Sequence, residues 1–96
     1  MAGAVANDRH SLNRAPMKLF LLEQRAETAD AHMRACARLV ERQRALVARL
    51  EQNCHCTDGA KALLMRFEDL YELSRIKRDC WCLQLVTLRL KLERLH

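Results

Sequence analysis

Apolar and small residues recur at alternating intervals of three and four positions between residues 19 and 50. This heptad spacing places them along one stripe of an α-helix. The stripe consists of Leu19, Leu22, Ala26, Ala29, Met33, Cys36, Val40, Gln43, Val47 and Leu50. Because proline is favoured in the first turn of a helix, Pro16 marks the predicted start. We expect helix 1 over about residues 17–53 and a disordered N-terminal tail over residues 1–16.

A second stripe with helical spacing follows a short polar segment and continues almost to residue 96. Its members are Ala60, Leu63, Phe67, Leu70, Ser74, Trp81, Leu85, Leu88, Leu92 and Leu95. Residues 54–57 predict a turn, and the Thr57 hydroxyl is a candidate N-cap for helix 2 over about residues 58–95. Two long helices with so short a connection lie antiparallel. Residues 17–96 therefore predict an all-α, coiled-coil-like, antiparallel two-helix hairpin, in which the numbers of facing residues add to about 110.

Helix 2 has a second apolar side that a hairpin leaves uncovered. Ile76, Leu83 and Leu90 are spaced by seven residues and lie opposite the Trp81 stripe, with Val86 beside them. Such a surface predicts a partner, either a second hairpin that completes a four-helix bundle or another helical protein. We expect the polar seam residue Gln43 to set the register or the oligomeric state.

The composition excludes several other classes of protein. Two glycines and one proline are too few turn residues for a β-sandwich or barrel, and no stretch approaches the roughly 20 apolar residues of a membrane span. Basic residues number 17 and acidic residues 12, and the two signs are interspersed, so the net charge of +5 forms no polybasic tail. Five cysteines, an odd number, and the lack of an apolar leader favour reduced thiols and a cytoplasmic location.

The pattern places no nucleophile beside a base, and two helices form no deep pocket. We therefore expect no catalytic residue, no cofactor and no small-molecule substrate. The cysteines in Cys54-His55-Cys56 and in the pair Cys80 and Cys82 suggest zinc half-sites. The two half-sites would lie about 36 Å apart along the hairpin, so we expect no metal site. A thiol or metal sensor at the Cys54-His55-Cys56 turn stays an alternative because the turn is exposed.

Four arginines on the outer face of helix 1 lie within about 80° of one another on a helical wheel. They are Arg34, Arg38, Arg42 and Arg49. Glu41 lies among them, and no aromatic platform accompanies them. Our main hypothesis is therefore a non-catalytic module for protein–protein interaction or assembly. Weak binding to nucleic-acid backbones through the arginine face is an alternative.

Between His32 and Trp81, a series of residues follows a family pattern without gaps. It comprises Arg42-Gln43, Leu46-Val47, Leu50-Glu51, His55, Thr57, Ala60, Leu63-Leu64, Phe67-Glu68 and Arg78-Asp79. Through these residues the chain resembles a group of short, uncharacterised bacterial helical proteins, most common among alphaproteobacteria. That group has Gly, Asp and His at the positions of Cys54, Cys56 and Ser74. The resemblance implies an antiparallel hairpin and a bacterial cytoplasmic context, and it implies no activity.

Overall fold

The protein folds into two long helices joined by a short turn. The structure is a computed structural model that describes the backbone of residues 2–95 and the side chains of residues 16–95. Helix α1 spans Ala2–Gln52 and helix α2 spans Asp58–Arg94, and the two pack against each other. The described residues contain no strand. The predicted all-α, antiparallel two-helix hairpin is therefore confirmed.

Helix α1 begins earlier than the predicted start near Pro16. Its backbone is helical from Ala2 and continues through Pro16, whose side chain is exposed. Alanine, the strongest helix former, recurs in this segment, which favours helical backbone on both sides of the proline. The side chains of residues 1–15 lie outside the described part of the chain, as do all atoms of Met1. The disordered tail predicted for residues 1–16 stays a prediction.

A Schellman motif ends α1 and reverses the chain. The backbone N–H of His55 donates to the Leu50 carbonyl at 2.9 Å, and that of Cys54 donates to the Glu51 carbonyl at 3.1 Å. Cys54 adopts the left-handed conformation that this motif requires, with φ of 56°. The carbonyls at the end of α1 thus find partners within the turn, although a non-glycine residue occupies the left-handed position.

The start of α2 matches the predicted position and differs in its capping. Thr57 is the N-cap residue, and its carbonyl accepts the first helical bond from the Lys61 N–H at 2.8 Å. The predicted side-chain cap is absent, because the hydroxyl of Thr57 makes no capping hydrogen bond. The ψ angle of 0° at Thr57 differs from the extended backbone of a typical N-cap, which explains the difference.

The core lies between the predicted stripes of the two helices. All ten positions of the α1 stripe are buried or half-buried, and Leu22, Ala26 and Leu85 form a cluster that Trp81 covers. On α2, Ser74 is also buried, whereas Leu95 lies beyond the helix and is exposed. Leu63 and Leu70, at the edge of the stripe, are partly exposed. The hairpin therefore buries one side of each helix, and the core is one side chain deep.

Polar contacts hold the two helices in the predicted register. Four ion pairs bridge α1 and α2, with N–O distances from 3.0 to 3.9 Å. They are Glu23 with Arg89, Asp30 with Arg78, Arg44 with Glu68, and Glu51 with Lys61. Each pair fits facing residue numbers that add to about 110. The buried Gln43 side chain donates to the Ala60 carbonyl at 3.0 Å, and its role in setting the register or the oligomeric state stays a prediction.

Within residues 2–95, neither helix contains a stretch that is both long and apolar enough to cross a bilayer.

Candidate interaction surface

The predicted interaction surface lies on the outside of α2, away from α1. Ile76, Leu83, Val86 and Leu90 are each between 50% and 67% exposed. A monomeric protein usually buries large aliphatic side chains or scatters the exposed ones singly. These four follow one side of a single helix, so they form a continuous apolar surface.

This surface extends further towards the turn than the sequence reasoning indicated. Leu73 is 65% exposed, and Cys80 and Thr87 are exposed as well. With three of the predicted residues they form a second heptad stripe on α2, which we call the outer seam. The outer seam comprises Leu73, Ile76, Cys80, Leu83, Thr87 and Leu90. The spacing of three and four that identifies Leu73 and Cys80 is visible in the sequence, but the prediction used only the interval of seven.

Charged residues of opposite sign flank the outer seam. In the heptad, the positions on one side hold Glu72, Asp79 and Glu93, which we call the acidic flank. The corresponding positions on the other side hold Lys77, Gln84 and Lys91, the basic flank. All six side chains are exposed. Val86 lies within the acidic flank and widens the apolar surface there.

Arg75 neutralises part of the acidic flank from the same helix. Its guanidinium donates to both carboxylate oxygens of Glu72 and, at 3.2 Å, to Asp79. The hydrogen bonds from Arg75 hold the pKa of Glu72 below its ordinary value and raise the pKa of Arg75 itself. Asp79 also accepts from Arg78 at 2.8 Å, which raises the pKa of Arg78. Glu72 is therefore ionised at neutral pH.

A shallow groove between the helices borders the outer seam on its basic flank. Leu70, Leu73, Ile76 and Cys80 line it on α2, and His32 closes it on α1. The groove is open and mostly apolar, with His32, Ser74 and Lys77 as its polar lining residues. It therefore extends the apolar surface rather than forming a binding pocket.

Trp81 lies on the inner side of α2, as predicted, and packs on the core cluster that contains Ala26. The guanidinium of Arg25 lies 5.0 Å from the centroid of its ring, which is within the range of a cation–π contact. Trp81 is thus engaged within the hairpin, and no exposed aromatic platform for nucleic-acid bases results from it.

The predicted arginine face remains on the outside of α1. Arg34 is paired with Asp30 at 2.7 Å. Arg38, Arg42 and Arg49 are exposed, and none of them forms an ion pair with another described residue. Arg38, Arg42 and Arg49 thus present three positive charges to solvent along α1.

The cysteines are free thiols in three environments. Cys54, Cys56 and Cys80 are exposed, Cys82 is half-buried and Cys36 is buried. Among the described residues, no group of three or more His, Cys, Asp and Glu side chains could hold a metal ion. The structure contains no feature that favours a thiol or metal sensor at the Cys54-His55-Cys56 turn, and this alternative stays a prediction.

The buried hydroxyl of Ser74 and the side chain of His32 both form contacts within their own helices. The Ser74 hydroxyl donates to the Tyr71 carbonyl at 2.7 Å and lies within the core. His32 lies on α1 with Nε2 at 3.7 Å from the Cys36 sulfur, within hydrogen-bonding distance of a thiol that is itself buried in the core.

Comparisons with protein-family models, with curated proteins and with solved structures find no match to this chain. The segment from His32 to Trp81 resembles a group of bacterial helical proteins, but this resemblance does not assign the chain to a family. The function has to be inferred from the surface of α2 and the charges around it.

Proposed function

We propose that this protein is a non-catalytic assembly module that binds a helical partner through the outer seam of α2, and that two hairpins associate through it. The observation behind the proposal is the continuous exposure of Leu73, Ile76, Leu83 and Leu90 along one heptad stripe. A hairpin of two helices covers one side of each helix, so the opposite side needs a second surface.

The physical driving force is the removal of this apolar surface from water. Full burial of a leucine or isoleucine side chain contributes about 1.5–3 kcal/mol relative to exposure. Four such side chains on each of two copies, at half to two thirds exposure, provide several kcal/mol before the entropy of association is subtracted. Because association costs about 4–15 kcal/mol, the remainder fits weak, concentration-dependent association rather than an obligate dimer.

Charge substitution on the outer seam tests the proposal. We expect the reduced wild-type chain to have the mass of a dimer or larger assembly in light scattering during size-exclusion chromatography. The Leu83→Glu and Leu90→Glu double variant should have the monomer mass, because two carboxylates would be buried in the interface. Circular dichroism should show unchanged helix content, since both side chains are at least half exposed in the hairpin.

Met65 provides a matched control on the same helix. Its exposed fraction is 68%, against 67% for Leu83, but it lies outside the outer seam. The Met65→Glu variant should therefore keep the wild-type mass. A wild-type chain that stays monomeric at all concentrations would overturn self-association. A double variant that associates as the wild type does would overturn the outer seam as the surface.

A second candidate function is weak binding to nucleic-acid backbones through the arginine face. It is favoured by the exposure of Arg38, Arg42 and Arg49 without ion pairs to described residues. Each phosphate contact should steepen the salt dependence of binding, with a slope of about 0.9 per contact on duplex DNA. The Arg38→Gln and Arg42→Gln double variant should lower this slope by about two. The Arg75→Gln variant, on the other helix, is the control.

We propose the cytoplasm as the location. Five free cysteines, three of them exposed, are compatible with a reducing compartment. Alkylation of thiols in intact cells before lysis tests this, because oxidised cysteines would be protected from the reagent.

A further inference from the structure

We infer that the occupant of the outer seam is a second copy of this chain, and that the two α2 helices pair parallel and in register. This inference rests on the proposed function, since it specifies the partner and geometry of the same surface. The observation that carries it is the separation of charge between the acidic flank and the basic flank.

Parallel pairing brings opposite charges together. In a parallel two-stranded coiled coil, each flank of one helix lies beside the other flank of its partner, offset by five residues. Glu72 then lies opposite the partner's Lys77, and by symmetry the same pair forms a second time. Asp79 lies opposite the partner's Gln84, which can donate a hydrogen bond to the carboxylate. The aliphatic stem of the partner's Lys91 covers Val86.

Antiparallel pairing brings like charges together. In that orientation each flank lies beside the same flank of the partner. Lys77 and Lys91 would then face the partner's lysines, with no acidic residue in that flank. The acidic flank would face its own copy as well. Like charges at such positions destabilise association, and this penalty selects against the antiparallel orientation.

The ion pair between Arg75 and Glu72 leaves room for this contact. A carboxylate can accept about four hydrogen bonds, so Glu72 can keep Arg75 and also accept from a lysine of the partner. Arg75 reduces the repulsion that an antiparallel acidic flank would suffer, but it has no counterpart on the basic flank. The argument therefore depends mainly on the two lysines.

The geometry of α2 also determines how the four helices are arranged. On a helical wheel the outer seam is centred roughly 140° from the stripe that packs on α1, and its turn-proximal end borders the groove that His32 closes. The dimer would be a four-helix assembly with the two α2 helices at its centre and the two α1 helices outside them. Each outer-seam residue would meet its own counterpart, so that Leu73, Cys80 and Leu90 lie beside Leu73, Cys80 and Leu90 of the second copy.

Cross-linking at the two ends of the outer seam distinguishes the orientations. The background is the full chain with the exposed cysteines removed by Cys54→Ser, Cys56→Ser and Cys80→Val, so that the outer seam stays apolar. One variant adds Leu73→Cys and another adds Leu90→Cys, and the two positions are about 25 Å apart along the helix. Diamide, a diazene oxidant, accepts two electrons and two protons from a pair of thiols, so that one S–S bond forms and a hydrazine is released.

Parallel pairing in register predicts that each variant cross-links with itself to a covalent dimer. Antiparallel pairing predicts cross-links only in a mixture of the two variants. The background retains Cys36 and Cys82, which face the hairpin interior, and it should give no covalent dimer. A cross-link found only in the mixture, or no cross-link in a chain that is dimeric, would overturn the parallel arrangement and leave the assembly module in place.

The mass of the reduced wild-type chain is measured first and separates the two proposals. A monomer would overturn both self-association and the parallel pair. For a dimer, Lys77→Glu gives a second test through the sign of its effect. Parallel pairing predicts that the variant weakens association by roughly 4- to 30-fold, because two attractive pairs become repulsive. Antiparallel pairing predicts tighter association, since the new glutamates would face lysines. Arg49→Glu, on α1, makes the same change in net charge and should have little effect.

Discussion

The inner and outer faces of α2 have the same heptad spacing and opposite environments. Leu85 on the inner face is 8% exposed, whereas Leu83, two residues away, is 67% exposed. Helix α1 covers the inner face, and no described residue covers the outer seam. Heptad spacing therefore predicts which faces of a helix can pack against another helix. The number of helices in the chain determines which of these faces are buried within one hairpin.

The two faces also satisfy their polar groups in different ways. On the inner face, the buried Gln43 of α1 reaches across to the Ala60 carbonyl of α2. On the outer seam, Thr87 donates its hydroxyl to the Leu83 carbonyl of its own helix at 2.8 Å. The outer seam thus presents no polar group that needs the opposite helix, and burial against a partner would leave none unpaired.

The largest expected effect is the difference in folding stability between substitutions on the two faces of α2. Leu85→Ala should lower the free energy of unfolding by about 2–4 kcal/mol, because it leaves a cavity in the cluster with Leu22 and Ala26. Leu83→Ala should change it by less than about 0.5 kcal/mol at concentrations where the chain is monomeric. Urea unfolding, followed by circular dichroism at low micromolar concentration, measures both values.

The effects of these two variants on the dissociation constant of the dimer should have the reverse order. Leu83→Ala should raise the dissociation constant of the dimer, and Leu85→Ala should leave it close to the wild-type value in the folded fraction. Equal losses of folding stability in both variants would contradict the division into an inner and an outer face.

Much of this arrangement could be predicted from the sequence, because heptad spacing reports directly on helix faces. The turn, the start of α2 and the exposure of Ile76 and Leu90 all followed from it. The missing side-chain cap at Thr57 could not, because capping depends on a ψ angle that the residue type does not determine. Helix α1 continues to the N-terminal side of Pro16, although its start was predicted there because a proline inside a helix ordinarily removes one hydrogen bond and clashes with the carbonyl four residues earlier. Leu73 was missed because only one of the two intervals in the heptad was followed.

A second prediction concerns the polar position within the inner face. Gln43→Ala should lower the free energy of unfolding by about 1–2 kcal/mol, since it removes a buried side chain and its bond to Ala60. The Gln43→Leu variant is the sharper test of register. It restores the volume, so stability should recover, while amide exchange near the turn should show whether the helices still align in one register. Unchanged exchange protection in Gln43→Leu would contradict a role for Gln43 in setting the register.

A third prediction strengthens the hairpin without touching either face. Cys54→Gly should raise the free energy of unfolding by about 0.5–1 kcal/mol, because glycine adopts the left-handed conformation without the steric cost that Cys54 has. Thermal and urea unfolding measure the gain. The dissociation constant of the dimer should not change, since the turn lies outside the outer seam. Cys56→Gly is the matched control, and it should be neutral or destabilising because Cys56 has a negative φ.

The smallest expected effect is a loss of stability at acid pH, and it involves Glu72 on the acidic flank of the outer seam. Arg75 lowers the pKa of Glu72 below its ordinary value of 4.5, so ionised Glu72 favours the folded chain. This contribution is fully present above pH 4.5 and is lost as the pH falls through the lower pKa of the folded state. The residue is exposed, so the hairpin itself should lose little stability. If Glu72 also contacts the partner's Lys77, association should weaken over the same pH range. A carboxyl titration by NMR at Glu72, compared with the Arg75→Gln variant, should show the pKa returning towards 4.5. An unchanged pKa in that variant would mean that Arg75 does not lower the pKa of Glu72.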